Sequence, residues 1–143
     1  FTGVTRLSVS IAKQKIANVK LNIKNLDMMK EMVDHGISIL GDNNTPLSEF
    51  GELLHESWTR KKELAKNVSN PIIDAMYEAG IDAGATGGKL LGAGAGGFML
   101  FYVEKEYQKG VKNKLKKYVQ VPIKFERMGS SICVYQPEDF NVE

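Results

Sequence analysis

Six glycines fall within the eleven residues Gly87-Gly88-Lys89-Leu90-Leu91-Gly92-Ala93-Gly94-Ala95-Gly96-Gly97, and from Gly92 to Gly97 no side chain is larger than a methyl group. Glycine is costly to order, so such a run implies positive φ angles, a close approach of another segment, or backbone N–H groups that converge on an anion. Phosphate is the usual anion. The loop is neither a P-loop nor a dinucleotide fingerprint, because no Gly-Lys-Ser/Thr triplet is present and the residues after it, from Phe98, read as a strand rather than a helix. Composition alone also admits a tight hairpin connection between two buried strands. Lys89, just ahead of the loop, could reach a phosphate or could equally be an edge lysine turned to water. Arg6 could make a bidentate phosphate contact or bridge domains, with Thr5 a weaker companion.

The elements that must position this loop follow from periodicity. Ile16, Val19, Ile23, Leu26, Met29, Val33, Ile37 and Leu40 recur at steps of three and four, which predicts helical structure from about Ser8 to Leu40. Asn22 to Asn25 divide it into two helices, with Asn25 as a cap of the second. Thr45-Pro46 opens a third, along which Leu47, Phe50, Leu54, Trp58, Lys61, Leu64 and Val68 keep helical spacing to about Asn67. Asn70-Pro71 opens a fourth and Gly80 stops it. Gly84 to Leu91 and Phe98 to Val103 read as strands. The second is apolar on both faces, as in the middle of a covered sheet. Tyr107, Val111, Leu115 and Tyr118 give a last helix whose lysines form its solvated side. Val121, Ile123 and Phe125 alternate as a third strand, and Ile132 to Tyr135 form a fourth. The expected architecture is α+β, with about four strands backed by helices in one domain over residues 1–143.

The 43% hydrophobic and 25% charged content suits one compact domain, and a net charge of +2 gives no overall bias toward nucleic acid or anionic membrane. The single cysteine, Cys133, has no disulfide partner and no ligand cluster beside it, so a cytoplasmic setting, no metal site and a buried strand position are expected. The longest apolar stretch, Phe98 to Val103, is too short to span a bilayer. His35 and His55 lack carboxylates at a triad spacing and read as ordinary histidines. Trp58 reads as core, Asn70 as a helix cap, and Asp74 as a first-turn acid that suits the helix dipole.

Gly88-Lys89-Leu90-Leu91-Gly92-Ala93-Gly94-Ala95-Gly96-Gly97-Phe98-Met99-Leu100 resembles the third signature motif of the GHMP kinases, the galactokinase, homoserine kinase, mevalonate kinase and phosphomevalonate kinase superfamily. Thr2-Gly3-Val4-Thr5-Arg6, Trp58 with Lys61 and Lys62, Ser69-Asn70-Pro71, Ile73-Asp74 and Gly84-Ala85 extend the likeness, which is greatest to the D-glycero-D-manno-heptose 7-phosphate kinase branch. The resemblance implies a ferredoxin-like C-terminal domain of a kinase that uses ATP and Mg²⁺ to phosphorylate the anomeric hydroxyl of a heptose 7-phosphate, a step toward lipopolysaccharide or capsule. It gives Gly92, Ala93, Gly94, Ala95, Gly96 and Gly97 a place near the transferring phosphate, and makes Lys89, Arg6 and Thr5 candidates for the substrate phosphate. The family's ATP-binding loop and catalytic carboxylate belong to an N-terminal domain with no counterpart in these residues. The chain alone is therefore expected to hold no catalytic residue, to be inactive, and to self-associate through the face that domain would cover. A stand-alone metabolite-binding or interaction module is the alternative.

Overall fold

The structure, a computed structural model, describes residues 1–2, 8–125 and 128–132. The first helical stripe breaks in two, but ahead of the expected Asn22 to Asn25: α1 (Ser8–Ala17), a single 3₁₀ turn at Val19–Asn22, then α2 (Ile23–Gly41). Asn25 does not cap α2, because it lies inside the first turn. Its Nδ2 donates instead to the Arg60 carbonyl at 3.0 Å and to Glu63 Oε2 at 3.1 Å. Asn18 and Asn22 likewise donate to the Leu64 carbonyl, at 3.4 and 3.3 Å. These amides satisfy carbonyls that the end of α3 (Ser48–Glu63) leaves without helical partners, and so dock α1 and α2 against it. Thr45-Pro46 precedes α3 without capping it, since Thr45 Oγ1 turns back to Asp42 Oδ2 at 2.6 Å.

The Asn70-Pro71 signal is realised fully. Asn70 Oδ1 accepts from the N–H groups of Ile72 and Ile73, at 3.0 and 3.1 Å, and α4 runs Pro71–Asp82. Gly80 does not stop that helix. It sits within α4, where a β-carbon would come within 2.5 Å of the Phe101 ring, so its smallness admits an aromatic from the sheet. The chain turns at Gly84 instead, with φ of +106°.

Two antiparallel strands follow, β1 (Ala85–Leu90) and β2 (Met99–Val103), with Lys89 opposite Leu100, Leu90 opposite Met99 and an irregularity between Ala85 and Gly87. Helix α3 packs across both strands and α4 packs on β1. The approach of α3 is close: a β-carbon on Gly87 would lie 1.9 Å from the Gly51 carbonyl oxygen. Trp58, Val68, Ile73 and Leu90 are fully buried where α3, α4 and β1 meet, joined by Ile11 of α1. Helix α5 (Gln108–Lys114) closes a second, smaller core in which Val111 and Leu115 meet Met76 and Ala85.

The sheet has two strands among the described residues rather than the expected four. Residues 121–125 form no ladder, and Val121, Ile123 and Phe125 are 52%, 62% and 94% exposed, so among the described residues their alternation finds neither a strand partner nor a core face. Of the expected last strand, Ile132 is unpaired and residues 133–135, Cys133 included, lie outside the described residues. No described helix is long and apolar enough to cross a membrane.

Candidate functional site

The glycine-rich segment is the connection between β1 and β2, and its backbone takes conformations that larger side chains resist. Gly92, Gly94, Ala95 and Gly97 have φ of +84°, +127°, +62° and +119°. Gly94 is the most constrained, since a β-carbon there would stand 2.9 Å from Val68 Cα. Ala95 is buried at 2% exposure, its N–H donating to the Val68 carbonyl at 2.9 Å and its carbonyl accepting from Asn70 Nδ2 at 3.2 Å. One asparagine thus starts α4 and fixes the loop. At the far end, the Thr2 N–H donates to the Gly97 carbonyl at 2.9 Å and the Gly97 N–H to Thr2 Oγ1 at 3.1 Å.

The outer half of the loop is held by lysines. Lys61, buried on α3, donates through Nζ to the carbonyls of Leu90 at 2.8 Å and Gly92 at 2.6 Å. Lys15 of α1 donates to the next carbonyl, Ala93, at 2.6 Å. Lys89, half-buried on β1, donates to Ser57 Oγ of α3 at 2.7 Å. Burial, with the positive charges of Lys15 and Lys89 nearby, lowers the Lys61 ammonium from 10.5 to about 8. Burial lowers Lys15 as well, with Lys89 adding repulsion, and burial alone lowers Lys89. Neither ion pair among the described residues, Arg60–Glu56 or Lys62–Asp74, involves any of the three.

With its carbonyls turned to lysine and asparagine, the loop keeps other donors in reserve. Among the described residues the N–H groups of Gly92, Ala93, Gly94 and Gly96 have no hydrogen-bond partner. Free N–H groups and partly desolvated ammoniums in one place suit an oxyanion. Mg²⁺ is another matter. Among the described residues no three His, Cys, Asp or Glu side chains gather, and the side chains around the loop are cationic, so these residues do not fit that ion.

The structure thus brings Lys89 to the loop from Gly92 to Gly97, while Arg6 and Thr5 lie outside the described residues. Lys15 and Lys61 are functional candidates that periodicity hid. The signal for Lys61 was a charged residue on the apolar stripe of α3; Lys15 gave none, because a lysine two residues after Lys13 on a short helix reads as an ordinary solvated side chain. His55 is more engaged than expected, its Nδ1 lying 2.6 Å from the hydroxyl of buried Tyr77.

Residues 43–120 match the family model for the C-terminal region of GHMP kinases. The chain is 33% identical over 126 residues to D-glycero-alpha-D-manno-heptose 7-phosphate kinase of Campylobacter jejuni, an alignment that covers 84% of this chain and 36% of that protein. It is 27% identical over 139 residues to the bifunctional fucokinase/GDP-fucose pyrophosphorylase of Arabidopsis thaliana, covering 94% of this chain and 13% of that one. Among solved structures, L. major mevalonate kinase in complex with R-mevalonate superposes with a TM-score of 0.68 at 16% identity, over 81% of this chain and 36% of the other, a likeness of fold. The chain therefore spans little more than a third of the heptose kinase and far less of the fucokinase.

Proposed function

The chain belongs to the GHMP kinases, as a C-terminal domain of that family, and on that premise we propose that it serves an ATP- and Mg²⁺-dependent kinase acting on the anomeric hydroxyl of D-glycero-D-manno-heptose 7-phosphate. The observation that carries this reading is the β1–β2 loop, anchored through its carbonyls while the N–H groups of Gly92, Ala93, Gly94 and Gly96 remain open among the described residues. The likeness to the heptose kinase supports the choice of substrate.

Phosphoryl transfer asks little covalent chemistry of the protein and much positioning. In the proposed reaction the sugar hydroxyl oxygen bonds to the γ-phosphorus as the bond to the β–γ bridging oxygen breaks. ADP leaves, and the hydroxyl proton passes to a base outside this chain. The loop's part is to lie against the transferring group, where fixed N–H dipoles need no reorganisation as charge shifts among phosphoryl oxygens. Carboxylates for Mg²⁺ and the main nucleotide contacts come, on this reading, from the rest of the kinase, and the 143-residue chain alone is inactive. The product is a heptose 1,7-bisphosphate, made in the cytoplasm on the way to an activated heptose for surface polysaccharide.

A coupled assay of ADP release tests this with a panel of sugar phosphates, L-fucose and mevalonate, using the protein that contains the upstream reading frame and, separately, the 143-residue chain. Turnover with heptose 7-phosphate in the longer protein only is the expected result. An upstream frame without a phosphate-binding loop, and no turnover with any acceptor, would favour a metabolite-binding module instead.

A further inference from the structure

The three lysines at the base of the loop do more than the loop's anchorage requires. A neutral amide is enough to hold a loop carbonyl, as Asn70 shows at Ala95. Lys61, Lys15 and Lys89 instead bring three cations together from α3, α1 and β1, near enough that their charges disfavour one another. None of them has a carboxylate in the ion pairs of the described residues. Like charges collected in partial burial are destabilising unless an anion joins them.

Each of the three keeps at least one N–H that its contacts among the described residues do not use. An ammonium carries three N–H groups; Lys61 uses two on carbonyls, Lys15 one on Ala93, and Lys89 one on the Ser57 hydroxyl. Ser57 Oγ, as the acceptor of that bond, keeps its own O–H to give.

We propose that Lys15, Lys61, Lys89 and the Ser57 hydroxyl form a phosphoryl-binding subsite beneath the glycine loop, distinct from the loop's own N–H groups. Its ligand carries phosphate oxygens. On the kinase reading of the previous section, on which this part of the inference rests, that group is the phosphate already present on the acceptor sugar. The subsite would then select a phosphorylated sugar over a neutral one. A nucleotide phosphate offers the same chemistry from the other substrate.

The test needs no turnover, so it can fail while the kinase assignment stands, and the reverse. The chain is labelled with ¹³C at lysine Cε and titrated by NMR with inorganic phosphate, glucose 6-phosphate and the non-hydrolysable ATP analogue AMP-PNP, in separate arms. Saturable shifts at Lys15, Lys61 and Lys89, with the Lys61 deprotonation midpoint rising above its unliganded position near 8, are expected. A stronger response to glucose 6-phosphate identifies the sugar's phosphate as the source; a stronger response to AMP-PNP supports the subsite and assigns it to the nucleotide. Lys15→Gln and Lys89→Gln, which leave the buried Lys61 in place, should each weaken the response about tenfold, the loss of one charge-assisted contact. Equal, non-saturating shifts at the exposed Lys105 and Lys109, or unchanged affinity in both variants, would overturn the proposal.

Discussion

Lys61 is held in a partly dehydrated place by two carbonyls, and the pH dependence of stability should show it. Its ammonium loses its proton near 8 in the folded chain and near 10.5 when unfolded. Between those values the unfolded state binds more protons, so this residue's contribution to folding becomes more favourable as pH rises; below about 8 the burial penalty is complete. In urea unfolding, the parent should therefore gain on Lys61→Met between pH 8 and 10.5, and a gap that is flat or narrows there would contradict the assignment. Gly94 makes a second prediction at this scale. Its φ of +127° and the 2.9 Å approach to Val68 Cα leave no room for a branched side chain. Gly94→Val should reshape the loop, costing about 1–3 kcal/mol and abolishing activity in the complete kinase. Gly96 lies in the same loop, so Gly96→Val should lower activity by misplacing the reactants rather than by unfolding the chain. Equal activity in parent and Gly96→Val would remove that position from the mechanism.

Element boundaries show what a sequence can and cannot disclose. The start of α4 was legible because Asn70 and Pro71 act on their own neighbours, through a side chain that reaches Ile72 and Ile73. Asn70→Ala should cost about 1 kcal/mol for the lost cap. It should cost more if the bond to Ala95 also matters, and hydrogen exchange of the Ala95 amide separates the two contributions. The end of α4 was misread because a glycine that terminates a helix and one that admits a neighbouring ring look alike in one dimension; only Phe101 distinguishes Gly80 from the first kind. Residues 121–125 show a similar limit, since alternation marks a strand only if something pairs with it, and among the described residues nothing does. The loop itself was evident from composition. The lysine cluster was not, as its members lie 28 to 74 positions apart and meet only because the small residues Gly51 and Gly87 let α3 descend onto β1.

For the molecule as a whole, α1 and α2 turn an apolar face outward: Ile16 is 73% exposed, and Val33, Ile37 and Leu40 are each at least 60% exposed. If the rest of a kinase rests there, the 143-residue chain alone should self-associate, and Ile37→Glu with Leu40→Glu should return it to monomer in sedimentation. A parent that stays monomeric at high concentration would remove that face from consideration. The central claim concerns what the loop and its partners hold in the complete protein. The most direct measurement is ³¹P NMR of that protein with ATP, Mg²⁺ and D-glycero-D-manno-heptose 7-phosphate, in parent and Gly94→Val forms. A new anomeric phosphate resonance that grows with ADP in the parent and is absent from the variant is the predicted result. ADP formation without that resonance, or equal rates in both forms, would contradict the account.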